Sequence, residues 1–207
     1  MTSNNASAAP HPLLPQLLCL TPLLLLLGAL FWLFQEEGEI IRWFQAHRAV
    51  HPRLEQFAGK FCAYGNALFC GTCLMLGLRK ARRGRKPDLR FALALAAYFL
   101  SVLSATYFLK RAVSRPRPPG PWERFDFFSP DGERRSFPSG HTVTAFALTL
   151  PLAQWVGKVV PPLLCGLYPA VMGLARMYLG RHWPSDLLGS AVLTWLGWFL
   201  CWRLVER

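Results

Sequence analysis

LLPQLLCLTPLLLLLGALFWLF, residues 13–34, is a run of 22 residues without one charged side chain. A bilayer-spanning helix needs about 20 predominantly apolar residues, so this stretch has the length of a span. No basic segment precedes it and no small-residue cleavage site follows, so it reads as retained rather than as a signal peptide. Pro15 and Pro22 lie in its first half, where they are expected to perturb the helix start.

Further apolar runs occur at about 57–78, 91–109, 141–156, 159–178 and 186–202. Backbone buried in lipid must satisfy its own hydrogen bonds, which a helix does within one segment. A barrel would instead show alternating segments of about ten residues. The expected fold is all-α: a polytopic membrane protein with six transmembrane helices over residues 13–207. Residues 1–12 are polar, small and Pro-containing and read as a disordered segment. Between the first two runs, residues 36–56 are mixed in charge. There Ile40, Ile41, Trp43 and Phe44 are spaced as one apolar stripe, which predicts an interfacial helix.

Composition agrees. Of 207 residues 53% are hydrophobic and 16% charged, the latter against roughly 25% in soluble domains. So much apolar surface excludes a disordered chain. The net charge of +12 sits in short links between apolar runs, with no module that would enter a nucleic-acid groove. It points to anionic headgroups or an anionic substrate at the membrane surface, not to nucleic acid. All six cysteines fall in apolar stretches. Cys70 and Cys73 form a CxxC without a second pair or a neighbouring His, so these thiols read as small, buried and inert.

Six helices place both termini on one side. Lys and Arg number 13 on the face holding the links after spans one, three and five, and 10 on the other, so the raw count does not orient the chain. The second face carries the densest cluster, seven cations between Arg79 and Arg90. That cluster is expected on the cytoplasmic side.

Three polar motifs interrupt the apolar pattern, all on the face opposite that cluster. They are KRAVSRPRP (110–118), FPSGHT (137–142) and RMYLGRHWPSD (176–186). Lys110, Arg117 and Arg176 supply fixed donors and positive charge suited to a phosphoryl group. Ser139 and Gly140 stand where span four begins, and a helix N-terminus offers free N–H groups to an anion. Taken singly, each of these residues fits a basic fringe and an ordinary helix cap.

Two histidines change that balance. Pro184 suits the first turn of the last helix, which puts Asp186 in that turn, four residues after His182. Asp186 is then placed to orient the imidazole and leave its other nitrogen free for attack. His141, in the first turn of span four, suits a general acid. His141, His182 and Asp186 could alternatively form a 2-His-1-carboxylate metal site, but the surrounding cations favour an anion and no metal. His11, His47 and His51 have no comparable setting.

In these three motifs the chain resembles the type-2 phosphatidic acid phosphatase family, whose superfamily includes the vanadium-dependent haloperoxidases. The family pattern KxxxxxxRP, PSGH, SRxxxxxHxxxD is matched by Lys110 to Pro118, Pro138 to His141, and Arg176 to Asp186. The departure is Ala175, where the family usually has Ser. The resemblance implies His182 as nucleophile forming a phosphohistidine, Asp186 as its orienter, and His141 as acid and then base. It implies Lys110, Arg117, Ser139, Gly140 and Arg176 as phosphate ligands, with no cofactor. It further implies a multi-pass protein of the cytoplasmic (inner) membrane with its site facing outward. A lipid phosphate, foremost undecaprenyl diphosphate, is the expected substrate. Phosphatidylglycerophosphate, phosphatidate and the 1-phosphate of lipid A stay open, as do phosphotransfer to another lipid and a non-enzymatic lipid-binding scaffold.

Overall fold

The computed structural model describes residues 13–82, 89–120, 126–131, 134–156 and 159–206. Residues 1–12 and the middle of the 79–90 cluster lie outside the described residues. Within them the chain forms seven helices: α1 (Leu13–Phe34), α2 (Glu37–Val50), α3 (Pro52–Arg82), α4 (Leu89–Val113), α5 (Gly140–Val156), α6 (Val160–Tyr178) and α7 (Pro184–Glu206). All but α2 coincide with the runs read as spans.

Three segments are long and apolar enough to cross a membrane: α1, Ala92–Val113 of α4, and α6. α5 has only 17 residues. α3 carries Arg53, Glu55 and Lys60 in its first turns, and α7 opens on Pro184-Ser185-Asp186. Of the six expected spans, each coincides with a helix among the described residues, and three of those helices are long and apolar enough to cross a membrane.

α5 packs against both α6 and α7, while α1 covers α6 and α4 covers α7. Leu25, Leu68, Leu100 and Leu200, on outward faces, are each more than half exposed. A protein in water would bury such a belt; a lipid-embedded one presents it. Deep in the bundle, Gln16 Nε2 (2.8 Å) and Trp198 Nε1 (2.6 Å) both donate to Gln154 Oε1, joining α1, α5 and α7.

Two expectations change. Pro22 does not disturb the helix start, because α1 runs through it unbroken. Pro22 faces Gly166 of α6, where an added Cβ would strike the Cys19 carbonyl, so only glycine lets the two backbones approach there. The helix expected over 36–56 forms as α2, over Glu37–Val50, but its buried stripe is Ile40, Ile41 and Phe44. Trp43, on the flank of that face, is 47% exposed; it stacks on His47 and meets Phe34 at a tilt and Phe44 edge-on. α2 ends at His51 (φ −128°, ψ 64°) because Pro52 disfavours helical geometry in the residue before it and starts α3.

The thiols divide as well. Cys19 and Cys62 are buried as expected, but Cys70 is exposed, since its side of α3 lies on the outer surface.

Candidate active site

The three motifs converge where α4 and α6 end and α5 and α7 begin. Lys110, in the last turn of α4, lays its stem along Gly140, the first residue of α5: a Cβ there would lie 3.6 Å from Lys110 Cε. Lys110 Nζ donates to the Arg135 carbonyl at 2.9 Å. Ser139 is fully buried; its N–H donates to Ser190 Oγ (3.0 Å) and its hydroxyl accepts from Thr142 Oγ1 (3.0 Å). His141 shares a cleft of about 620 Å³ with Arg176. Its carbonyl accepts from Asn66 Nδ2 (3.2 Å), and Asn66 in turn accepts from Tyr168 OH (2.7 Å), so α3 and α6 brace the start of α5.

The turn that delivers His182 follows from one glycine. Gly180 has φ +63°, its N–H donates to the Met177 carbonyl (2.8 Å), and the Arg181 N–H donates to the Arg176 carbonyl (3.0 Å). This is a Schellman closure, which requires the left-handed residue that glycine supplies without strain. The chain reverses there and presents His182 just before Pro184 opens α7.

Asp186 is in the first turn of α7, as expected, and is wholly buried. Its Oδ1 accepts from Arg115 Nη1 (2.7 Å). Its Oδ2 accepts from the Trp183 N–H (2.9 Å) and from the Ser136 hydroxyl. His182 Nδ1 stands 3.5 Å from Oδ2, an electrostatic contact longer than a hydrogen bond, of the kind that shortens in a substrate complex. On the other side of the ring, Nε2 lies 3.5 Å from Arg176 Nη2. Burial lowers the His182 pKa from 6.5 to about 4, outweighing the nearby Asp186 carboxylate, which raises it. The imidazole is therefore neutral at ordinary pH, and a proton held on Nδ1 facing Asp186 leaves the Nε2 lone pair facing Arg176.

The Nε–H groups of Arg117, Arg135 and Arg176 are buried and have no hydrogen-bond partner among the described residues. Buried unsatisfied donors are costly, and three such donors on arginines around Lys110 suit an oxyanion. A metal fits less well. Both Asp186 oxygens are already engaged by donors, and the neighbouring charges are cationic.

Several contributors escaped the sequence reading. Arg115, 4% exposed, also holds Glu37 Oε2 (2.8 Å) and Ser185 Oγ (2.6 Å), and its guanidinium stacks over Trp183 at 5.5 Å. Glu37 Oε1 accepts the Ser185 N–H (2.7 Å), so a residue of α2 caps the N-terminus of α7. Trp183 Nε1 donates to the Pro116 carbonyl (2.9 Å), locking the first and third motifs together. Arg135 adds a fourth cation. Its spacing to the family motifs offered no signal, but Ser136 beside it lies one residue before the quoted FPSGHT. His47 and His51 stack on each other (4.0 Å), and His47 Nδ1 meets Tyr178 OH (3.3 Å), away from the reacting groups. His11 lies outside the described residues.

Residues 88–207 match the PAP2 superfamily, and the chain belongs to that superfamily. It is 35% identical over 96 residues to decaprenylphosphoryl-5-phosphoribose phosphatase of Mycolicibacterium smegmatis, covering 46% of this chain and 50% of that protein. It is 34% identical over 77 residues to undecaprenyl-diphosphatase BcrC of Bacillus subtilis, covering 37% of this chain and 39% of that one. To a lipid A 1-phosphatase of Rhizobium etli it is 37% identical over 101 residues, covering 44% and 39%. The chain thus spans half or less of the length of these curated relatives. The crystal structure of Aquifex aeolicus LpxE superposes with a TM-score of 0.55 at 25% identity, covering 80% of this chain and 93% of that one.

Proposed function

We propose that the protein is an integral membrane lipid phosphatase with six spanning helices, acting on a phosphomonoester or diphosphate at the membrane surface. The observation that carries this reading is the buried His182. Its Nε2 faces the Arg176 guanidinium, and its Nδ1 faces an aspartate fixed by three donors.

In this mechanism the His182 Nε2 lone pair attacks phosphorus in line with the leaving oxygen. The P–O bond to the leaving group breaks, and His141 gives that oxygen its proton. His141 then takes a proton from water, whose oxygen attacks the phosphohistidine, releasing phosphate and restoring His182. Asp186 keeps the Nδ1 proton in place and stabilises the positive charge the ring gains. Lys110, Arg117, Arg176, Ser139 and Gly140 hold the phosphoryl oxygens, supplying the charge stabilisation that phosphoryl transfer demands. No metal takes part.

A prenyl diphosphate such as undecaprenyl diphosphate is the favoured substrate. The names of the relatives support a lipid phosphate in general, including lipid A 1-phosphate and phosphatidylglycerophosphate. The test is phosphate release by detergent-purified protein from a panel of these lipids. Turnover is expected to persist in chelator and to be blocked by vanadate, which occupies the same oxyanion pocket. Activity that vanishes with chelation and returns with Mg²⁺ or Zn²⁺ would instead make His141, His182 and Asp186 metal ligands.

The site is proposed to face away from the cytoplasm, with the 79–90 cluster inside. Single cysteines at Gly84 and Asp131, in a background without native cysteines, would be challenged in intact cells with a membrane-impermeant thiol reagent. Labelling is expected at 131 and not at 84. The reverse pattern would put the site in the cytoplasm and exclude an outward-facing lipid substrate.

A further inference from the structure

The cleft that holds His141 and Arg176 is also lined by Gly59, Arg48, Glu55 and Arg181. Its volume of about 620 Å³ is that of a pocket for a whole headgroup rather than for one phosphoryl group. The outer half comes from the end of α2 and the start of α3, which carry no family motif, and from the Schellman turn after α6, inside the third motif.

Two guanidinium groups point the chemistry of that outer half. Arg48 lies directly over Gly180, where a Cβ would be 3.4 Å from its Nη1, and its Nε pairs with Glu55 Oε1 at 3.5 Å. Any side chain at position 180 would crowd it. Arg181 is exposed, and its guanidinium has no ion pair or hydrogen bond among the described residues. Its backbone N–H donates to the Arg176 carbonyl, and both arginines line the same cleft. Around the cleft the charged side chains are thus Arg48, Arg176 and Arg181 against Glu55 alone. Glu55 is 47% exposed and free to turn to solvent. Adjacent guanidinium groups repel unless an anion lies between them, and each is a forked donor suited to phosphate oxygens.

We propose that Arg48 and Arg181 form a subsite for a second phosphoryl group of the substrate, adjoining the one held by Arg176, with Glu55 covering Arg48 when the subsite is empty. The inference rests on the lipid phosphatase reading and makes the enzyme selective for lipid diphosphates over monophosphates.

The experiment uses the full chain in detergent and two arms. In the first, binding of methylenediphosphonate and of inorganic phosphate is measured by calorimetry. The wild type is expected to prefer the diphosphonate by about ten-fold, the worth of charge-assisted hydrogen bonds to one added group. The preference should vanish in Arg48→Gln/Arg181→Gln protein, while phosphate affinity stays as in the wild type. Glu55→Gln should strengthen diphosphonate binding and leave phosphate binding alone. In the second arm, the paired Arg variants should raise KM for farnesyl diphosphate and not for farnesyl monophosphate.

Equal affinity for the two probes in the wild type, or a preference that survives both Arg substitutions, would overturn the subsite. If the double variant does not fold, Arg181→Gln alone, at an exposed position, carries the same comparison. Diphosphonate preference that disappears with the arginines, together with no phosphate release from either lipid by the wild type, would sink the phosphatase reading and keep the subsite.

Discussion

His182→Ala protein is expected to release phosphate from a lipid substrate about a thousand-fold or more below the wild type, the scale on which removal of an enzymatic nucleophile is felt. The side chain is 2% exposed, and among the described residues no other imidazole faces the Asp186 carboxylate, so nothing replaces it. Asp186→Asn should cost a comparable factor, on the order of 10⁴ where an orienting aspartate fixes the tautomer of its histidine. The amide would also turn an N–H₂ toward Arg115, Ser136 or the Trp183 N–H, all of which are donors. His141→Ala should lose about a hundred-fold or more as the acid–base step falls back on solvent. Combining the substitutions should add little beyond the largest single loss, because the three act as one unit. Each variant must elute from detergent as the wild type does. Near-normal turnover by folded His182→Ala protein would refute the mechanism.

The second large effect belongs to Arg115. Its guanidinium holds Asp186 and Glu37 at 2.7 and 2.8 Å in a nearly dry setting. Removing one partner of a buried ion pair leaves the other charges uncompensated, which costs about 3–5 kcal/mol. Arg115→Ala should therefore melt well below the wild type in detergent and lose activity as Asp186 shifts. Arg115→Lys keeps the charge but cannot reach both carboxylates with a planar fork, so it should recover part of the stability and less of the turnover. If Arg115→Ala matched the wild type in both melting and phosphate release, the network would have no bearing on the site.

What was legible in the sequence was what a short separation or a long apolar run can encode. Pro184, Asp186 and His182 lie within five residues, so their closeness follows from sequence separation, and the structure has His182 and Asp186 facing each other. The long helices were visible as apolar runs, although 17-residue α5 and the charge-bearing ends of α3 and α7 blurred their limits. The Glu37–Arg115 pair was not legible. Its members are 78 positions apart, and each alone looks like part of a solvated fringe. Trp43 misled for the opposite reason, since an apolar residue beside a buried stripe passes for a member of it when only spacing is seen. Arg48 and Arg181 were counted as topology signals, because nothing local shows that two links meet over Gly180.

The cap that Glu37 places on α7 bears on how this molecule could be dissected. Residues 88–207 carry all the family motifs, and a gene fragment encoding them would look like a self-sufficient catalytic unit. Such an excision would sever the acidic half of an ion pair at the heart of that unit. It would also strip α1 from the face of α6 that Gly166 keeps flat for it. The portable part of this protein, for grafting or for chimaeras with a relative, is therefore larger than its signature. An exchange of N-terminal segments must carry Glu37 and its reach to Ser185, or supply a carboxylate in the same place.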